Sequence, residues 1–238
     1  MRRSILRSVS RLAAFAVLAC SCSSAFAGDR SKRLLQQAPG LKAEVLELAV
    51  SAYDCARRGG EAPQARRLAV IDYSLPSTEP RLWVFDMARK RLLYAEHVAH
   101  GRGSGDNLAT EFSNIEGSHQ TSLGLFVTDQ TYYGANGYSL RMDGLDPGFN
   151  DLARQRAIVM HGAPYVDPEF ARTQGRLGRS HGCPAVRDAV ARPLINQLRH
   201  GQLLFAYYPD PAWLANARSL SCLRLARAGQ TVGTAGAP

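Results

Sequence analysis

Past its first residues the chain has no apolar run near the roughly 20 residues that a membrane-spanning helix needs. It has no internal repeat. Arginine and lysine (29) outnumber aspartate and glutamate (20), yet the basic residues form no concentrated stripe and no recognisable nucleic-acid module. A nucleic-acid partner would want one or the other, so none is expected. Metal chemistry is excluded on similar grounds. His161, His181 and Cys183 lack a short paired-ligand spacing, and no acidic general base sits beside them. The Gly-rich run Gly101-Arg102-Gly103-Ser104-Gly105-Asp106 has no Lys-Ser/Thr after it and opens no helix, so it reads as a connecting loop rather than a phosphate cradle.

What is present begins with a targeting segment. Arg2, Arg3, Arg7 and Arg11 form a basic front, Leu12 to Cys20 a short apolar run, and Ala25-Phe26-Ala27 a small-x-small cleavage site. Residues 1–27 therefore read as a signal peptide, and an exported protein, periplasmic or wall-associated, is expected. Processing at Cys20, after Val17-Leu18-Ala19, is the alternative and would tie the chain to a membrane by a lipid. Removing the four leader arginines lowers the formal net charge from +9 to +5, a mildly basic surface. Cleavage after Ala27 also removes Cys20 and Cys22, leaving Cys55, Cys183 and Cys222. In an oxidising compartment Cys55 and Cys222 then form either a disulfide or two buried thiols, and the disulfide is the expectation carried forward.

Four segments follow: the leader, an extension over 28–67, a core over 68–209 and a C-terminal piece over 210–238. In the extension, Leu41, Val45, Leu48, Ala49 and Ala52 fall at helical spacing, and Gly59-Gly60 stops the helix. Strands are expected over 68–73, 81–86 and 91–100, the last two as a hairpin, and over 121–128. Gly134, Gly137, Gly144 and Gly148 mark a loop-rich segment holding Tyr132, Tyr133, Tyr138, Arg141 and Asp143. Residues 157–161 read as a buried strand, 187–200 as a helix with Gly201 as its cap, and 203–208 as a last strand. A peripheral helix over 211–228 carries Cys222, and the Gly/Thr/Ala tail after Gly229 reads as disordered. The pattern is a mainly-β domain with peripheral helices.

The chemistry concentrates between His161 and Cys183. Ala157-Ile158-Val159-Met160 delivers His161 at the end of a strand, and a polar loop then leads to Gly178-Arg179-Ser180-His181-Gly182-Cys183-Pro184. Cysteines placed for packing sit among apolar neighbours, whereas these flanks are turn residues. A nucleophilic thiol needs a base and backbone N–H groups to hold an oxyanion, and Gly182 permits the close backbone approach. Pairing the thiol with His161 is expected to lower its pKa below the free value of about 8.5.

His161, the loop and Ser180-His181-Gly182-Cys183 together resemble the signature of the L,D-transpeptidase family, the YkuD-type catalytic domain, most strongly its murein L,D-transpeptidase branch. The resemblance runs over about residues 68 to 209 and includes Ser122-Leu123-Gly124, Tyr138-Ser139-Leu140 and His161-Gly162-Ala163. It implies a β-sandwich-like core and an exported enzyme that acts on peptidoglycan stem peptides without metal or cofactor. Cys183 would acylate at the bond between a diamino acid and D-Ala and pass the acyl group to an amine. Water as acceptor would make the same residues a carboxypeptidase or endopeptidase. A non-catalytic wall-binding domain is a further alternative, and carbapenem-type β-lactams are expected acylating inhibitors. The resemblance also implies His161 as base, with the Gly162 carbonyl holding its tautomer. Gly182 and Cys183 N–H groups, with His181, would form the oxyanion hole, and Ser180 would act as a supporting hydrogen-bonding group. His181 is the alternative base. Tyr138, Arg141 and Tyr165 are candidate substrate contacts, with the loop 163–179 as a lid hinged at Gly175 and Gly178. The family follows its Cys with an apolar residue and then Arg or Asn. Here Pro184-Ala185-Val186 intervene, and Arg187 is the candidate.

Overall fold

The structure, a computed structural model, describes residues 30–226. The leader with Cys20 and Cys22, and the tail after Gly229, lie outside the described residues. Eight strands form one sheet: β1 (Arg67–Asp72), β2 (Leu82–Asp86), β3 (Arg91–Glu96), β4 (Gly124–Gly134), β5 (Gly137–Gly144), β6 (Val159–Gly162), β7 (Ala185–Val186) and β8 (Leu203–Tyr207). Their spatial order is β3-β2-β1-β8-β4-β5-β6-β7. The chain leaving β3 reaches β7 through an antiparallel bridge between Ala99 and Ala185, with Ala99 N–H donating to Ala185 O at 2.8 Å. The sheet thereby curls into a nearly closed barrel. The fold is mainly β with a few helices, as the strand patterns predict.

β1, β2 and β8 are buried along almost their whole length. Their Leu68, Ile71, Leu82, Trp83, Phe85 and Phe205 fill the core. Such apolar runs need cover on both faces, and helices supply it. Helix α1 (Ala43–Gly59) buries Val45, Leu46, Ala49, Val50, Tyr53 and Ala56 on one stripe and ends at Gly60, whose φ of 87° suits the left-handed cap. Helix α2 (Pro168–Gln174) lies in the loop before the Cys motif, and helix α3 (Asp188–Leu198) lies after it. Helix α3 ends at Arg199 rather than at Gly201. Short helix α4 (Pro211–Asn216) seats Trp213 against Phe205.

Two expectations need correction. The Gly-punctuated segment is a loop only after Gly144, where Gly148 lies in a turn; before that it is the β4–β5 hairpin, paired from Phe126↔Gly144 to Gly134↔Gly137. Its glycines sit in strands and at the turn, where Ala135-Asn136-Gly137 is ordinary hairpin-turn chemistry. The C-terminal helix is broken. Residues 211–216 are parted by the non-helical backbone of Ala217 from a 3-10 turn at Arg218–Leu220, which runs directly into helical residues 221–226. Buried Asp146 stabilises that break by accepting Ser219 N–H at 2.7 Å and Ser219 Oγ–H at 2.8 Å. Cys55 and Cys222 form a disulfide, joining α1 to the last helical piece.

Candidate active site

Parallel pairing of β6 with β7, in the register His161↔Ala185, lays the segment ending in Cys183 beside Val159–His161. Val159 N–H points at Cys183 Sγ at 3.5 Å, and Sγ in turn points at Ala157 O at 3.7 Å. Ala157 holds a left-handed φ of 53°, which turns the chain into β6. On the other side β5 pairs with β6 through Ser139↔His161. His161 is therefore fixed from both flanks and is only 4% exposed. Its Nδ1 donates to Gly162 O at 2.8 Å, the one role open to a ring nitrogen facing a carbonyl. Nε2 is left with its lone pair, which makes the neutral ring a proton acceptor.

Ser180 shapes the turn. Its Oγ–H donates to Cys183 O at 2.7 Å, and its oxygen accepts Gly182 N–H at 3.0 Å. Gly182 has φ of 119°, and a Cβ there would lie 2.8 Å from Gln120 O and 2.9 Å from Ile158 Cδ1. Only glycine fits without displacing backbone. Because Gly182 N–H is already engaged, it is not a free oxyanion donor. Among the described residues no oxygen accepts from His181 N–H or Cys183 N–H.

Burial sets the protonation of the pair. It pushes the Cys183 thiol pKa up, against the pull of Val159 N–H and the Arg156 charge. Burial also lowers His161, against its bond to Gly162 O and the Asp188 charge. Both shifts favour the neutral thiol and the neutral imidazole. This reverses the lowered thiol pKa expected from the Cys–His pairing, because no ionised partner touches a sulfur with 8% residue exposure.

Of the remaining candidates, Tyr165 comes to the site. Burial first, then the charges of Cys183 and Asp188, push its phenol up to about 12. Gly178 N–H donates to Tyr165 O at 2.9 Å, so the two ends of the loop hold each other. Arg141 shares the sheet face of Ser139 and His161, by strand alternation, and its guanidinium stacks 4.2 Å above the Tyr132 ring. Tyr138 is one strand step out of phase and faces α3, where its OH donates to Asn196 Oδ1 at 2.7 Å. It is thus turned away from His161. Arg187 is committed to Glu96 by two bonds of 2.9 and 2.7 Å. His181 is exposed, with its ring stacked on His119 at 4.3 Å. No group of three or more metal-ligating side chains occurs among the described residues.

Several wall residues escape the sequence reading. The Gly-rich loop is not a mere connector. Gly101 bridges Ser180, and its N–H donates to Thr121 Oγ1 at 2.9 Å. Arg102 N–H donates to Ser180 O at 2.8 Å. Ser180 N–H donates to His100 O at 3.0 Å, and His100 Nδ1 accepts from Arg81, a fully buried guanidinium that also donates to Val98 O and Leu75 O. Burial and then the Arg81 charge push His100 down to about 4, so it stays neutral. Arg156 clamps the opposite wall, donating to Ser113 O, Ser122 Oγ, Ser118 Oγ and Gln120 O. The signal for the Gly101 loop was the glycine spacing, since a Cβ on Gly101 would lie 2.8 Å from Gly182 Cα.

The family model for the L,D-transpeptidase catalytic domain matches residues 37–207, from just before α1 to the end of β8. The chain belongs to the L,D-transpeptidase catalytic domain family. Solved structures of this family resemble it at low identity. An L,D-transpeptidase from Mycobacterium smegmatis is 15% identical over 60% of this chain and 59% of its own, with a TM-score of 0.37. One from Stackebrandtia nassauensis is 12% identical over 76% and 77%, also at a TM-score of 0.37. An L,D-transpeptidase in complex with imipenem is 14% identical over 60% and 59%, at a TM-score of 0.35. The chain thus spans about three fifths of the length of the first of these relatives. A search of curated proteins gave no match.

Proposed function

We propose that the protein is an exported, cysteine-dependent peptidoglycan L,D-transpeptidase with Cys183 as nucleophile and His161 as base. The observation that carries this reading is the tethered imidazole. Nδ1 is held by Gly162 O at 2.8 Å on the strand that runs parallel to the Cys183 segment. His181, exposed and stacked on His119, has no comparable tether and is not the base.

In the first step the Cys183 thiol passes its proton to His161 Nε2 as sulfur attacks the carbonyl between the diamino acid and D-Ala. The oxyanion is received by the N–H groups of Cys183 and His181, from which no oxygen accepts among the described residues. Collapse breaks the C–N bond, and the D-Ala amine leaves with the proton from His161. A thioester remains. An acceptor amine then attacks it, gives its proton to His161, and the thiol is restored. A neutral resting pair suits this sequence, since the base must be free to accept before it donates. The strained carbonyl of a carbapenem is open to the same thiol attack and would leave a stable acyl-enzyme.

Incubation with purified disaccharide-tetrapeptide, followed by mass analysis, tests the reading. A cross-linked dimer lacking one D-Ala means amine transfer, and a tripeptide means that water is the acceptor. Full turnover by Cys183→Ala would sink the nucleophile assignment.

A further inference from the structure

Arg102, His119 and His181 form a row beside the Cys183 turn whose guanidinium no ion pair uses among the described residues. Arg102 is exposed, its backbone is fixed to Ser180 O, and its Nε and Nη2 both aim at His119 Nδ1, at 3.1 and 2.8 Å. With Nδ1 accepting, the His119 proton resides on Nε2. The His119 ring stacks on His181, the residue two before Cys183. The arrangement is held by strained backbone. His119 has φ of 53°, and its carbonyl accepts Gly103 N–H at 3.0 Å. Neighbouring arginines are spent differently: Arg179 lies 2.9 Å and Arg176 3.7 Å from Asp106, and Arg187 pairs with Glu96. Among the described residues Arg102 makes no salt bridge. A guanidinium pressed on one imidazole, with a second imidazole behind it, gathers N–H donors with no carboxylate to receive them.

We propose that Arg102, with His119 and His181 behind it, is the subsite for the carboxylate of the acyl donor's C-terminal residue. This deepens the transpeptidase reading and rests on it for the identity of the donor. A stem peptide cleaved at its last peptide bond carries a carboxylate one residue beyond the attacked carbonyl. Arg102 is tethered through its backbone N–H to Ser180 O, in the same turn as the nucleophile. A planar guanidinium takes a carboxylate through two parallel bonds. The wall contacts of Gly101 and Gly103 hold the row in place.

The test uses two alkylating agents that differ mainly in charge. Iodoacetate and iodoacetamide both form a bond from Cys183 Sγ to their methylene carbon and release iodide, but only iodoacetate carries a carboxylate. Arg102→Gln is expected to lower the iodoacetate rate about tenfold, the scale of one charge-assisted bond, and to leave the iodoacetamide rate within about twofold. Arg102→Lys should recover part of the loss, and the distant Arg89→Gln should leave the ratio unchanged. An equal fall with both reagents, or no change in the ratio, or the same change in Arg89→Gln, overturns the subsite. A parallel assay compares a tetrapeptide acid with its C-terminal amide. Arg102→Gln should raise KM for the acid alone. If the wild type turns over neither peptide while the alkylation ratio still depends on Arg102, the transpeptidase reading fails and the anion subsite stands.

Discussion

Replacing Ser180 by Ala removes one hydroxyl that makes two bonds inside the Cys183 turn, to Cys183 O at 2.7 Å and from Gly182 N–H at 3.0 Å. Ser180 is 6% exposed, so water cannot readily take its place. Two neutral hydrogen bonds contribute about 2 kcal/mol net. Leaving a buried N–H and C=O unpaired raises the cost to roughly 2–4 kcal/mol. For a chain of this size that lowers the melting temperature by roughly 5–15 °C. The kinetic effect is expected to be larger. The turn keeps its outer ties, Ser180 N–H to His100 O and Arg102 N–H to Ser180 O, so the fold survives. The inner link that sets Cys183 is lost, and a misplacement on the order of 1 Å costs about a hundredfold in rate. Acylation by a carbapenem, followed by intact mass, should therefore slow by about two orders of magnitude. Ser180→Thr keeps the hydroxyl and should recover most of it. A Ser180→Ala protein that melts early yet acylates at the wild-type rate would refute the role given to this side chain.

The neutral resting pair makes a pH prediction. The iodoacetamide rate at Cys183 should climb with pH through and beyond the free-thiol value of about 8.5. A plateau reaching down to about pH 5 would instead reveal a thiolate–imidazolium pair. The same raised thiol pKa stabilises the fold fully below about pH 8.5 and loses that contribution as pH rises through the folded value, which denaturation at graded pH can follow. Gly182→Ala should lose acylation and about 1–3 kcal/mol of stability, since its φ of 119° and the 2.8 Å approach to Gln120 O leave no room for a methyl; chemical denaturation and acylation rates measure both. Cys222→Ser opens a disulfide whose partners lie 167 residues apart, so stability should fall by up to about 5 kcal/mol in denaturant titrations while Cys183 alkylates at its usual rate.

What local sequence dictates and what it does not divide along a physical line. The buried strands were legible because their apolar runs are short and bounded by turn residues, as in 68–73 and 203–208. The β4–β5 hairpin was not, because Gly134, Gly137 and Gly144 punctuate it as they would a loop. Its strand character comes from cross-strand partners distant in space from any local signal. At the site, His161 and Cys183 were legible from a motif that places a strand end and a turn. The commitment of Gly182 N–H to Ser180 Oγ was invisible, since it depends on one rotamer. Arg187 read as a substrate contact until Glu96, 91 positions away in sequence, claimed it. Arg102, Arg156 and His100 carry no local pattern at all: their roles come from barrel closure, which brings 100–104 and 113–122 against the Cys turn.

Cys55, Cys183 and Cys222 set a kinetic problem that the finished fold conceals. In the unfolded chain Cys183 is only 39 positions from Cys222, whereas the native partners are 167 apart. Loop-closure entropy favours the shorter ring by about 1.3 kcal/mol, nearly tenfold. Oxidation of the unfolded chain would therefore trap Cys183 in the wrong pair first. Sheet assembly buries Cys183 between β6 and β7 and brings α1 to the C-terminal pieces, which removes one competitor and recruits the other. Productive oxidation must then wait for the barrel to form or pass through a thiol-exchange catalyst. The yield of active enzyme becomes a matter of the order in which bonds are made.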